Sequence, residues 1–152
     1  MWLPDQLFKT MITNTPLIAI DLVVRNTQNE VLLGKRLNAP AKGFWFVPGG
    51  RIQKNETLDC AFIRLLKDEL GIQNVVPRSD AKLLGLHEHF YDDNLFDETF
   101  GTHYIVLAYE IKFNRTQLEN LPKFQHADYM WISEKNLLIE NEVHRYTQNY
   151  FK

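Results

Sequence analysis

Extended and helical patterns of apolar residues divide this chain into recognisable segments. After Pro16, LIAIDLVVRN is a β-rich run, and the polar turn Thr27–Glu30 separates it from VLLGKR, so the two predict a hairpin. A loop containing Pro40 and Gly43 leads to FWFVPGG, a third extended run that stops at Pro48 and a glycine pair. KLLGLHEHFY and THYIVLAYEIKF are strand-like and joined by the acidic loop DDNLFDE; DYMWI is a further short strand. Helical patterns occur at three places. Residues Asp5 to Thr13 predict a short amphipathic helix, about Thr57 to Leu70 a second, and NEVHRYTQNYF a third at the end. Asn55 is the expected cap of the second helix and Gly71 its left-handed terminator. Strands outnumber helices without regular β–α alternation, which predicts an α+β sandwich: a mixed sheet between helices.

The 152 residues make one domain, 1–152, long enough to bury a core. With 45% apolar and 24% charged residues and no long apolar run, the composition is that of a globular protein with no membrane partner. A net charge of −2 argues against a nucleic-acid partner held by a basic surface. The single cysteine, Cys60, cannot form an internal disulfide and is expected to pack within its helix. MWLPDQLFKTMI lacks the basic start and apolar core of a signal peptide, so the expected location is the cytoplasm.

Candidate chemistry concentrates in GGRIQKNETLDCAFIRLLKDELGI, Gly49 to Ile72. On a helical wheel Leu58, Phe62, Leu65 and Leu66 share an apolar face, and Glu69 falls inside that stripe. Asp68 and Arg64 lie on a flank at salt-bridge spacing. A carboxylate within an apolar stripe calls for a metal, a buried arginine, or a stripe whose edge is wet. The preceding loop adds weight to the metal. Gly49 and Gly50 allow close backbone approach, and a bare carbonyl there is a good oxygen ligand for magnesium.

These intervals resemble the signature of Nudix hydrolases over residues 50–72. Gly50, Glu56, Arg64, Leu66, Gly71 and Ile72 match it, Asp68 is a conservative replacement, and Glu69 fills the second place of a frequent Glu-Glu pair. Leu65 departs from it, standing where the pattern has a carboxylate. The resemblance implies the Nudix fold and divalent-metal chemistry on a nucleoside diphosphate linked to another group.

Beyond the signature, TPLIAIDLVV, LLGKR, WFVPGGRIQKNETL, HFYDDN, THY and QHADYMW resemble the GDP-mannose mannosyl hydrolases, a subfamily with the same departure at Leu65. This resemblance implies water attack on the anomeric carbon with inversion, releasing GDP and mannose, with GDP-glucose as a second substrate. It assigns His126 as general base. It assigns Glu69, Gln125 and the Gly49 carbonyl to one Mg2+ per subunit, with Mn2+ as substitute. Arg36 and Arg51 resemble diphosphate clamps, and Arg64 either contacts phosphate or orients the acids of its helix. Asp21, His89 and Tyr104 are implied at the sugar end, whereas His87 and His103 are expected to alternate away as structural residues. Trp2, Leu3 and Phe8 are implied against the guanine, close to a second subunit of a homodimer. Two rivals remain: a conventional pyrophosphatase giving sugar 1-phosphate and a nucleoside monophosphate, and an inactive binding module of the same fold.

Overall fold

The computed structural model describes residues 2–96 and 99–152; Met1, and Asp97 and Glu98 of the acidic loop, lie outside the described residues. In chain order the elements are α1 (Asp5–Asn14), β1 (Leu17–Arg25), β2 (Val31–Arg36), β3 (Trp45–Phe46), β4 (Gly49–Arg51), α2 (Leu58–Leu70), β5 (Lys82–Tyr91), β6 (Thr102–Lys112), β7 (His126–Ile132), α3 (Glu134–Leu137) and α4 (Arg145–Asn149). Seven strands form one mixed sheet in the order β3-β2-β1-β6-β5, with β4 pairing to β1 and β7 to β2. The β1–β6 pairing is parallel and continuous from Leu17↔Tyr104 to Arg25↔Lys112, and the other strand pairs among the described residues are antiparallel.

β1 is the centre of the molecule. Eight of its nine residues are buried, which is why it reads as a run rather than an alternation: both faces are covered. On one face Ile20, Leu22 and Val24 pack with Leu32, Tyr109 and Ile111 against Phe62, Leu65, Leu66 and Leu70 of α2. On the other, Val23, Val31, Leu33, Phe46 and Val47 pack against Leu137, Val143 and Tyr146 of the C-terminal segment. The expected sandwich of helices about a mixed sheet is therefore the observed architecture. No helix among the described residues is long and apolar enough to cross a membrane.

Several local expectations are corrected. The cap of α2 is Thr57, whose hydroxyl accepts from the Cys60 amide; Asn55 instead occupies a left-handed turn position, φ 66°. Leu58 is 37% exposed rather than part of the buried stripe, because α2 begins there and its first turn projects past the sheet. Cys60 is exposed. The final helix is shorter than the pattern suggested: α4 spans Arg145–Asn149, and α3 precedes it. Gly71 does end α2 with φ 71°, its amide reaching the carbonyls of Leu66 and Lys67.

β1 exchanges partners along one edge. It pairs with β4 over Ala19–Asp21 and meets β2 at Arg25↔Val31. Asp21, the one acid in the run, lies opposite Gly49 where β4 pairs, and the glycine loop is thereby fixed against the polar point of the central strand.

Candidate active site

A cavity of about 340 Å³ opens on the face of the sheet that carries Ala19 and Asp21. Gly49, Gly50 and Arg51 of β4 form one side, His89 and Tyr91 of β5 with Thr102 and Tyr104 of β6 another. Trp2, Leu3 and Phe8 of the N-terminal segment line it as well, as do Arg36, residues 38–40 and Gln125. Ten of the residues singled out in the sequence thus share one cavity: Trp2, Leu3, Phe8, Asp21, Arg36, Gly49, Arg51, His89, Tyr104 and Gln125. Arg51 holds α1 in place, its guanidinium 5.0 Å from the Phe8 ring. Trp2 remains 89% exposed in the single chain.

Glu69, Arg64 and His126 stand behind this wall. Glu69 is 6% exposed, and its Oε1 accepts from the Gln125 amide at 3.1 Å. Burial raises its pKa to about 7, with Arg36 opposing. No lysine or arginine among the described residues forms an ion pair with it, and His126 Nε2 lies 3.9 Å from its Oε2. An internal arginine, one alternative the sequence left open, is therefore not its partner. Arg64 is committed elsewhere. Its Nε donates to Glu56 at 2.6 Å, its Nη2 to the Arg51 carbonyl at 2.9 Å, and its Nη1 lies 3.7 Å from Asp68. Arg64 thus orients its own acids and the glycine loop, and Glu56 is tied to it.

The donor set around Glu69 suits a divalent cation. An ionised carboxylate this buried costs several kcal/mol without a compensating charge. The backbone adds an oxygen. Leu22 donates to the Pro48 carbonyl and Ile52 to the Ile18 carbonyl, so antiparallel alternation turns the Gly49 and Arg51 carbonyls away from β1. The Arg51 carbonyl accepts from Arg64. The set is sparse: among the described residues no three His, Cys, Asp or Glu side chains converge as a metal cluster. Leu65 explains part of this. It is 1% exposed, and a Cβ added at Gly50 would lie 2.6 Å from its Cδ2. Hydrocarbon fills the space beside the glycine loop.

His126 is the first residue of β7, paired with Arg36 across a register shift, rather than a loop residue. Its ring lies over Gly34, where a Cβ would come within 2.4 Å of Nδ1. Burial, then the charge of Arg36, lower its pKa to about 4, so the imidazole is neutral at pH 7. Among the described residues Nδ1 has no hydrogen bond of good geometry, although the Gly34 backbone acts on the ring and opposes the lowering.

Two of the sugar-end candidates, Asp21 and His89, belong to one hydrogen-bonded group. Asp21 is buried, which raises its pKa to about 7 against the opposing effects of Tyr150 and Arg36. Tyr150 donates to Asp21 Oδ2 at 2.5 Å and lies 3.3 Å from His89 Nε2. Tyr91 is 3.5 Å from His89 Nδ1. Burial lowers the His89 pKa to about 3. His87 does not alternate away: two residues from His89, it shares that face and meets the Tyr150 ring edge-on at 4.7 Å. His103 does lie on the opposite face, stacked on Phe90 at 4.3 Å.

Sequence reasoning missed Tyr91, Tyr150 and the Pro40 carbonyl, which accepts from Arg36 Nε at 2.9 Å. Tyr91 could have been found by strand parity with His89. Nothing local marks Tyr150, whose partner is 129 residues away.

A family profile described as a NUDIX domain matches residues 15–150. The low-salt glycan biosynthesis protein Agl8 of Haloferax volcanii is 40% identical over 117 residues, 77% of this chain and 72% of that protein. An ADP-ribose pyrophosphatase of Methanocaldococcus jannaschii is 36% identical over 72 residues, 47% of this chain and 40% of that one. Among solved structures, a MutT protein from Methanosarcina mazei Go1 superposes with a TM-score of 0.68 at 21% identity, covering 91% of this chain and 92% of that one. At that identity the likeness concerns the fold alone.

Proposed function

The chain belongs to the Nudix family and is a hydrolase of a nucleotide-linked substrate; from that premise we propose that it cleaves GDP-mannose, and with it GDP-glucose, at the sugar carbon to give GDP and free sugar. The observation that carries this reading is the hydrocarbon at Leu65. A signature carboxylate position is buried in the core against Gly50, leaving Glu69 as the buried acid of α2. A site attacking phosphorus needs strong activation of water beside the diphosphate. A site attacking carbon needs only to stabilise the diphosphate as it leaves and to place a base near the sugar.

Glu69, Gln125 and the Gly49 carbonyl would hold one Mg2+, or Mn2+ in its place, which supplies positive charge to the departing diphosphate. Arg36 and Arg51, both lining the cavity, add to that charge. Asp21, His89 and Tyr104 contribute polar groups where the sugar would lie. His126, neutral at pH 7, serves as general base. Trp2, Leu3 and Phe8 provide apolar surface for the guanine, and the exposure of Trp2 suits completion of that end by the second subunit of a homodimer. The glycan-related name of the 40% identical relative supports a nucleotide-sugar substrate.

Incubation with GDP-mannose and magnesium followed by separation of products tests the reading. GDP and mannose are expected. GMP and mannose 1-phosphate would place attack on phosphorus and restore the conventional pyrophosphatase. No turnover of several nucleotide sugars would leave a binding module.

A further inference from the structure

Tyr150 has no place in the chemistry above, yet its hydroxyl is seated at the centre of the buried polar group beside the cavity. It is contributed by the turn closing α4, while Asp21 comes from the middle of β1 and His89 from β5. Buried polar groups of this kind are costly unless all are satisfied, so the proton arrangement can be followed from one residue to the next. With Asp21 ionised, the one proton of the Tyr150 hydroxyl goes to the short contact with Asp21 Oδ2. Toward His89 Nε2, 3.3 Å away, the same oxygen can then act only as acceptor. That places the histidine proton on Nε2. Nδ1 is left as acceptor for the Tyr91 hydroxyl. The polarity therefore runs one way: Tyr91 to His89, His89 to Tyr150, Tyr150 to Asp21.

The consequence for Asp21 is directional. Oδ2 is occupied by Tyr150, whereas Oδ1 is turned to the glycine loop, where a Cβ on Gly49 would approach it to 2.5 Å. A carboxylate free to rotate about χ2 would present either oxygen; this one is held with Oδ1 toward β4, and both Asp21 and Gly49 line the cavity.

We propose that Tyr150 is a positioning residue: it fixes the Asp21 carboxylate so that Oδ1 meets the sugar, and the His89–Tyr91 pair fixes Tyr150. This rests on the assignment of the cavity to a nucleotide sugar with the sugar at Asp21. It gives the C-terminal segment a part in selecting the glycosyl group.

Tyr150→Phe removes the hydroxyl and keeps the ring packed on His87. With the wild type releasing mannose, kcat/KM for GDP-mannose should fall by about 10- to 100-fold in Tyr150→Phe, the range for a lost hydrogen bond to a charged group. Affinity for GDP with magnesium should change less than about 2-fold, a readout that a general loss of structure would move. In an Asp21→Asn background, Tyr150→Phe should have little further effect on kcat/KM. Wild-type kcat/KM in Tyr150→Phe, an equal loss of GDP affinity, or full additivity with Asp21→Asn would overturn the positioning role alone. A wild type that cleaves at phosphorus, or cleaves no nucleotide sugar, overturns the functional reading and this inference with it.

Discussion

His126 concentrates the chemistry of the reading at the scale of one residue. Its ring needs the bare Cα of Gly34 to fit, and burial keeps it neutral at pH 7, which leaves a ring nitrogen unprotonated. Replacement by glutamine should therefore lower GDP-mannose turnover by roughly 100-fold or more, with a melting temperature close to that of the wild type; near-normal turnover would remove His126 from the mechanism. At this scale the sequence was readable where a residue broke a local pattern. Glu69 interrupts an apolar stripe and Asp21 an apolar run, and both are buried acids beside the cavity. Tyr150 breaks no pattern. Its meaning lies in a contact across the whole fold, and no spacing argument could reach it. Cys60 failed in the other direction: its chemistry suggested packing, but the first turn of α2 faces solvent there.

At the scale of the element, α2 does two tasks with one helix. Phe62, Leu65, Leu66 and Leu70 bind it to the sheet, and Glu69 aims at Gln125 from the same stripe. Leu65 now belongs to the first task. Leu65→Glu, which restores the signature acid, should thus lower metal-free stability by about 2–4 kcal/mol through a buried charge, measured by urea unfolding. Stability unchanged from the wild type would mean that the space beside Gly50 is already polar. The helix itself was legible from periodicity and Gly71, and so were the extended runs behind six of the strands; β4, Gly49–Arg51, was read as a glycine loop. Ends were less so. Thr57 rather than Asn55 caps α2, because which of two polar residues folds back onto the helix depends on the turn at Asn55. The last apolar pattern broke into α3 and α4 because tertiary packing of Leu137, Val143 and Tyr146, rather than one helical face, sets their positions.

The sheet order, at the scale of the whole molecule, could not be read from the chain. β1 lies parallel to β6, more than 75 residues later, and that long-range pairing is what carries Tyr104 and His89 to Asp21. One physical consequence is a coupling of stability to pH. Burial raises Glu69 and Asp21 from ordinary carboxylate values to about 7. Stability associated with their protonated forms is full below the unfolded values near 4–5 and is lost as pH rises through about 7, on the order of 3 kcal/mol per group. The neutral buried His89, His126 and His144 act the other way, adding stability as pH rises from 5, so the carboxylate effect is read by difference: Glu69→Gln should raise the melting temperature of the metal-free protein more at pH 8 than at pH 5. Magnesium, competing with the proton at Glu69, should raise the melting temperature more at pH 8. A magnesium shift equal at both pH values would separate Glu69 from metal binding.

The position of bond cleavage is the claim on which the rest depends. Hydrolysis of GDP-mannose in ¹⁸O-labelled water, with both products analysed by mass spectrometry, measures it directly. Attack on the anomeric carbon puts the label in mannose and leaves GDP unlabelled. Label in a phosphate of the nucleotide or of the sugar phosphate would contradict it.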